Sequence, residues 1–536
     1  MANPEISTNE RWPGLIGQYK VNTALQYDRT YTNVQAWGYE ALAKKRNHRS
    51  SGLTEDLKPV ELFKFHLGEI PDEEKPSLPS SLNYKKAITD YLREIGKVEK
   101  SPTHYVAKDT IHICWPNVNF MNNVLLILTI PAEFTDKAKG IMRECALNAN
   151  LISTLRSSHL QFTTEPEAAA LYCMKVSSEY FDNLVGKSFL ICDCGGGTVD
   201  LTARTILEDN KLGEITERTG DFCGGTYVDR EFVRYLRGKV GSTAIDLLIE
   251  NYYDQYQYMI QKFCKHVKLP FTGDRNTFKL VEFDLAEYCK VIKQYVKGEE
   301  KLILEEDEWI LELDFETIKS MFDPVVGRII RLIRGQLAAG GNCSAMFLVG
   351  GFSESKYLQS RIKEEFDSRV KIIAVPRQPI AAIVRGAVEY GLKINTIKTR
   401  VLTYTYGVDC SPEWTDGDPP ERKTSKGRII KFFEMVKRGT RVEVDQEFTE
   451  RFVPVFPDQT GITFSVYVTK EYNAVYCDDP GMRLLGTLSI DLPDTHLGLN
   501  RPVLYTLSFG QMEINCAAKN QITGDIYNTT FALDLD

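Results

Sequence analysis

Phe189-Leu190-Ile191-Cys192-Asp193-Cys194-Gly195-Gly196-Gly197-Thr198-Val199-Asp200-Leu201-Thr202 is the stretch on which the reading of this chain turns. The apolar run from Phe189 to Cys192 predicts a buried strand that delivers Asp193 to its end. Three glycines follow, then Thr198 and Asp200 as the chain turns back into a second apolar run. Residues without a Cβ let backbone N–H groups close on an anion and permit positive φ. A carboxylate beside such a nest can hold a hydrated Mg2+ through water, because that ion keeps most of its waters and is shared with phosphate oxygens. A tight glycine hairpin is the bland alternative. An acid, three glycines, a hydroxyl and a second acid in register favour the anion site.

Three further segments extend the pattern. Residues 125–130 read as a buried strand ending at Pro131, after which Thr135 is a helix N-cap. Ala138, Ile141, Met142, Cys145 and Ala149 then repeat at helical spacing. A short strand at Leu160–Phe162 leads into Thr164-Glu165-Pro166-Glu167, where the proline marks a helix entrance with Glu165 just outside it. Far downstream, Ala345 to Val349 is another buried strand, followed by Gly350-Gly351 and a helix from about Ser355 to Phe366.

The order of these pieces resembles the actin-like ATPases, and most closely the seventy-kilodalton heat-shock chaperones. The resemblance is carried by TIPAEFTDKAKGIMREC (129–145), TTEPEAAALYCM (163–174), the 189–202 stretch, GDFCGGTYVDREF (220–232), DFETIKSMFDPVV (314–326), AMFLVGGFSESKYLQSRI (345–362) and PIAAIVRGAVEYG (379–391). VNTALQYDRTYTNVQAWGYEAL (21–42) is similar to a divergent branch of that family. The implied fold class is α/β: a two-lobed actin-like ATPase domain followed by an antiparallel β-sandwich.

The resemblance also implies a site for ATP or ADP with Mg2+. In it Asp193 sits by the metal, held through water, and by the attacking water. Glu165 positions that network, Thr198 faces the γ-phosphate, and Gly195, Gly196 and Gly197 wrap the phosphates. Lys64 falls where the family keeps a lysine against the γ-phosphate, although a lone lysine is more often solvated. Gly224 and Gly225 match glycines near the diphosphate, and Gly350 and Gly351 those against the adenosine. Lys265 and His266 match a basic pair beside adenine and ribose, where Lys262 and Leu269 replace the family's acid and serine. The family's Asp-x-Gly-Thr-Thr hairpin, a second phosphate clamp, has no counterpart in the sequence. Its loss implies unpaired backbone on a neighbouring strand and a weaker catalyst, since one preorganised donor is worth about 3–4 kcal/mol. Either the reading frame is short or hydrolysis is impaired.

Composition agrees with a folded protein of two or three domains: 536 residues, 43% hydrophobic. A net charge of −8 offers nucleic acid no global basic field. The cluster Lys44-Lys45-Arg46 with Arg49 reads as a solvated loop, with a polyanion patch as the minority reading. No apolar run approaches the ~20 residues that span a bilayer, and the amino terminus lacks a signal peptide's apolar core. Twelve scattered cysteines without a Cys-x-x-Cys pair point to free thiols and a cytoplasmic location. His112 and Cys114 have no second ligand pair, so zinc is rejected.

Residues 1–186 are expected as the first lobe and 187–392 as the second, with a helix near 380–391 crossing back beneath the first. Residues 393–402 are expected as a linker, basic and polar where the family's is acidic and leucine-rich. In 403–536 the pattern switches to period two, as in Phe464/Val466/Val468, Leu488/Ile490/Leu492, Val503/Tyr505/Leu507/Phe509 and Met512/Ile514/Cys516. This sandwich resembles the chaperones' peptide-binding module, with Val408, Phe452 and Ile462 at apolar groove positions; ordinary core packing is the other reading. The family continues into a helical lid that this sequence does not reach, and a lidless groove is expected to bind and release quickly. The expected partners are exposed apolar segments of unfolded protein and co-chaperones, with neither nucleic acid nor membrane. A chaperone-like ATP-binding protein is the first functional reading, and a pseudo-chaperone or scaffold with impaired hydrolysis the second. A sugar kinase of the same superfold is disfavoured by the sandwich and by the lack of a candidate base.

Overall fold

The computed structural model describes residues 6–42, 58–68, 71–96, 117–132, 134–176, 185–340, 343–509 and 514–530. The Lys44–Arg46 cluster with Arg49, the His112/Cys114 pair and Met512 lie outside them. The architecture is mixed α/β with several sheets.

Strands β1 (Ala24–Tyr27), β2 (Val34–Trp37) and β3 (Val60–Glu61) form a small sheet in the order β2-β1-β3. It shares a core with α1 (Tyr84–Gly96), whose Ala87 and Ile88 are buried. Strand β4 (Leu126–Ile130) then leads to α2 (Asp136–Asn148), capped by Thr135, whose Oγ1 accepts from the Ala138 amide at 3.2 Å. Strand β5 (Leu160–Thr164) runs parallel to β4, and α3 (Glu165–Val176) follows. Among the described residues β4 pairs only with β5, and Leu126 to Thr129 are half-buried.

Among the described residues the dominant sheet has eight strands. Its central ones are β6 (Ser188–Cys194), β7 (Val199–Ile206) and β8 (Leu212–Glu214), with β9 (Thr219–Asp221) pairing the far end of β7. Helices α4 (Thr226–Val240), α5 (Tyr253–Phe263) and α6 (Phe315–Gly340) precede β10 (Cys343–Val349), which lies parallel to β6. Helix α7 (Lys356–Phe366), capped by Ser355, leads to edge strand β11 (Ile372–Ala374). The alternation of β6 serves two cores. Leu190, Cys192 and Cys194 face α4, α5 and α6, whereas Phe189 and Ile191 face α3 and helix α8 (Ala382–Leu392). Strands buried on both faces read as continuous apolar runs, which is why 189–192 shows no alternation in sequence.

Helices α3 and α8 cross at closest approach at Gly386, where a Cβ would collide with the Ala168 carbonyl. No side-chain rotation relieves a clash with backbone. Gly386→Ala should therefore destabilise the protein by about 3 kcal/mol, read as a lower midpoint in urea. An unchanged midpoint would show that the two helices can separate freely.

Residues 393–402, expected as a linker, contain a strand. β12 (Ile397–Val401) pairs parallel with β8 and antiparallel with β15 (Arg441–Glu443), extending the large sheet. Ile397 and Val401 are buried, and Lys398 Nζ reaches Glu443 Oε2 at 2.8 Å. Beyond it, β13 (Thr405–Cys410), β14 (Lys431–Val436), β17 (Gly461–Thr469) and β18 (Arg483–Asp491) form one antiparallel sheet. β16 (Glu447–Phe452), β19 (Val503–Ser508), β20 (Asn515–Asn520) and β21 (Ile526–Thr530) form a second. Val408, Phe464, Val466, Ile490, Tyr505 and Leu507 share one core between them. Among the described residues no helix is long and apolar enough to cross a membrane, and the eleven described cysteines are free.

Candidate functional site

Asp193 lies one residue before the end of β6, opposite Asp200 of β7. Alternation carries its side chain to the face shared with Ile191, toward α3. It is 2% exposed, and its Oδ1 has no hydrogen-bond partner among the described residues. Burial, and then the negative charge of Glu165, push this carboxyl from 3.8 up to about 7; Lys20 and Lys64 pull it the other way. Gly350, just after the parallel neighbour β10, has φ 83°, and a Cβ there would collide with the Asp193 carboxylate and the Cys194 carbonyl.

The turn from Gly195 to Thr198 closes with the Gly195 amide on the Thr198 carbonyl at 2.9 Å. The amides of Gly196, Gly197 and Thr198 have no partner among the described residues. Those of Gly224, Gly225 and Thr226 are engaged, donating to the carbonyls of Gly197, Gly195 and Gly196 at 3.1, 3.0 and 2.8 Å. The two glycine turns are thus knit together, and only the first keeps open donors.

From the α3 side comes a second group. Thr164 and Glu167 form a capping box: the Thr164 amide donates to Glu167 Oε2, and the Glu167 amide to Thr164 Oγ1, both at 3.3 Å. This corrects the expected position of Glu165, which belongs to the first helical turn because Thr164 is the cap. Lys64, on the 3-10 turn Phe63–Leu67, donates to Glu165 Oε1 at 3.0 Å. The adjacent Phe65 packs on Gly197 and meets Phe222 edge-on at 5.4 Å, holding the Lys64 turn against both glycine turns.

The sequence is similar to mouse heat shock 70 kDa protein 12A, 26% identical over 474 residues that cover 74% of the chain and 69% of that protein. Human heat shock 70 kDa protein 12B is 23% identical over 484 residues, 75% of the chain and 69% of that protein. By sequence, the chain is similar to heat shock 70 proteins. A chaperone protein HscA homolog of Rickettsia bellii is 25% identical over 264 residues, 49% of the chain and 35% of its own length. No family model matches the chain.

In this heat-shock-70-like frame Asp193, Gly195 to Gly197, Thr198, Gly224, Gly225, Gly350, Glu165 and Lys64 gather at one place. Gly351 opens the next turn beside Ile380. Lys265 and His266 do not join them. They are exposed on a π-helical turn, Cys264–Lys268, with His266 stacked on Tyr288 at 6.1 Å. The lysine that reaches inward is Lys268, which sequence reasoning missed; its Nζ donates to the Gly225 carbonyl at 2.6 Å and to Asp229 Oδ1 at 2.8 Å. In the C-terminal sheets Val408 is wholly buried, while Phe452 and Ile462 are half-buried against the same core.

A buried ion cluster lies directly beneath α3. Glu167 Oε1 is 3.2 Å from Arg204 Nη2 and accepts from Arg400 Nε of β12 at 3.0 Å, while Arg218 Nε donates to Glu214 Oε1 at 2.8 Å. The Val401 amide donates to Glu214 Oε2 at 2.8 Å. Burial alone would raise the Glu167 carboxyl, but Arg400, Arg218 and Arg204 outweigh it and hold it well below 4.5. A cavity of about 690 Å³ opens nearby among Glu217, Asp221, Arg328, Arg331 and Arg438. Arg438 binds Glu217 and Arg328 binds Asp221, so its charges largely answer one another, and the chemistry of the turns points to the Asp193 site instead.

Proposed function

We propose that the chain binds ATP or ADP with Mg2+ between the β6–β7 turn and the Lys64–Glu165 pair. In this reading the nucleotide state governs how a C-terminal antiparallel β-sandwich holds exposed apolar polypeptide. The observation that carries the reading is the buried Asp193 carboxyl. One oxygen lacks a partner and the group is driven toward neutrality, while three open amides stand in the turn beside it. A carboxylate so placed is relieved by a cation, and the amides by an anion; a metal–phosphate pair supplies both. Among the described residues no group of three His, Cys, Asp or Glu side chains converges as a metal cage. Asp193 would therefore hold the ion through water, as suits Mg2+. The chemistry such an ion supplies is neutralisation of charge on the phosphoryl group. The chain's own part is positional. The Gly196–Thr198 amides would donate to phosphate oxygens, Lys64 would face the γ-phosphate with Glu165 fixing its ammonium, and Gly350 would admit the nucleotide close to the backbone.

Similarity to heat shock 70 kDa protein 12A and to a chaperone protein HscA homolog supports the chaperone half of the reading, and co-chaperones would then be partners. The proposed division places the two ATPase lobes at 1–186 and 187–392, with 403–536 as the peptide-holding unit. Phe452 and Ile462 are its half-exposed groove candidates. A second reading, a pseudo-chaperone that binds nucleotide with impaired hydrolysis, is favoured by the Gly224–Thr226 amides, which are turned onto the first glycine turn.

Thermal unfolding with and without Mg·ATP tests the site. At a hundredfold excess over Kd the stabilisation should be about 2.7 kcal/mol. No shift at millimolar nucleotide would remove the reading. Single-turnover hydrolysis on the same sample then separates the chaperone from the pseudo-chaperone.

A further inference from the structure

We propose that Tyr253 and Glu61 form a latch across the nucleotide site, and that its opening sets the rate at which bound nucleotide leaves. Tyr253 is the first residue of α5, and Glu61 ends β3 of the small N-terminal sheet, 192 positions away. The tyrosine hydroxyl donates to Glu61 Oε2 and accepts from Gln257 Nε2, one helical turn on, at 2.7 Å. Gln257 thereby leaves the hydroxyl proton for the carboxylate alone. The ring sits in a socket: Lys58 Nζ is 4.7 Å from its centroid, and the buried Ala24, Ala41 and Leu42 pack against it. One side chain of α5 thus meets a cation, an anion and an apolar floor, all supplied by the small sheet and the segments beside it.

What lies at each end gives the contact its role. Lys64 follows Glu61 on the same segment and donates to Glu165 Oε1 at 3.0 Å. Between them Leu62 is held at φ 59°, a left-handed conformation that a leucine adopts only where its surroundings impose it. The strain therefore lies at the joint between the latch and the Lys64 turn, and letting go of Glu61 frees that joint. Beyond the other end of α5, the π-helical turn Cys264–Lys268 carries Lys268, whose Nζ grips the Gly225 carbonyl. Together α5 and this turn tie the wall that carries Lys64 to the wall built from the glycine turns. Phe65 also spans the two walls, against Gly197 and Phe222. Apolar packing is non-directional and can slide, whereas a hydrogen bond to a charged acceptor is directional and strong. A nucleotide seated between the walls leaves as they part, and the Tyr253 contact resists the parting.

This inference rests on the nucleotide reading, and release kinetics on the full chain separate the two. Stopped-flow displacement of a fluorescent ADP, with Mg2+ present, is followed for wild type, Tyr253→Phe, Glu61→Gln and the double variant. Tyr253→Phe keeps the ring in its socket and removes only the hydroxyl. Release should quicken about tenfold, the equivalent of one hydrogen bond to a charged group. Glu61→Gln can still accept a hydrogen bond and should show part of the effect. The double variant should be no faster than Tyr253→Phe, because both changes act on one contact. Wild-type release from Tyr253→Phe, with ADP still bound, would overturn the latch and leave the site standing. Weaker binding that comes wholly from slower association, or rate increases that multiply in the double variant, would overturn it too. A wild type that binds no nucleotide would remove the site and the latch together.

Discussion

Asp193→Asn should cut any ATP hydrolysis by orders of magnitude and at the same time make the ligand-free protein more stable. The first effect follows from the proposed role: removing the charge that holds the metal's water shell should cost about 10²–10³-fold in turnover. The second follows from linkage. In the folded state the carboxyl is pushed from 3.8 up to about 7, so the folded chain holds a proton that the unfolded chain has released. Stability from this group is fullest below pH 4, falls as pH rises toward 7, and stays reduced above it. Asparagine carries no charge to desolvate. Metal-free Asp193→Asn should melt several degrees above wild type at pH 8, with the gap closing at pH 4. Equal melting curves at both pH values would show that the carboxylate is not held at a cost, and unchanged turnover would remove it from the chemistry.

Glu167→Gln should have the largest effect on folding. It leaves Arg204, Arg218 and Arg400 around a neutral amide, and stranding buried charge typically costs about 3–5 kcal/mol. Its pH sign is opposite to that of Asp193. Glu167 is held below 4.5 when folded, so its contribution is complete above that value and disappears as acid protonates it. Wild type should lose stability below pH 4.5 more steeply than Glu167→Gln. Arg400→Ala should also destabilise, and the double variant should cost less than the sum because the two groups touch. Strict additivity in denaturant titrations would refute the cluster as a unit.

The parts legible in sequence were those whose cause is local. The β6 run, its three glycines, the cap at Thr135 and the helix from about Ser355 each carry their reason within a few residues. β12 was not legible. Residues 394–400 read as a basic, polar linker because the stabilising partners of Arg400 and Val401, Glu167 and Glu214, are 233 and 187 residues away. Lys268 was missed for a different reason. The resemblance pointed to Lys265 and His266, whereas the inward reach of Lys268 depends on a π-helical turn and on Gly225 and Asp229, 43 and 39 residues away. Lys64 was legible only through the family resemblance, and its contact with Glu165 depends on two segments that are 101 residues apart.

The knitting of the two glycine turns has a mechanical consequence. Four hydrogen bonds tie Gly224, Gly225 and Thr226 to the carbonyls of 195–197, and Thr226 is the first residue of α4. Lys268, at the end of the π-helical turn that continues α5, grips the Gly225 carbonyl. Whatever tugs on the open amides of 196–198 therefore pulls a lever whose arm is a helix of fifteen residues, and the motion passes to a second helix without any loop to absorb it.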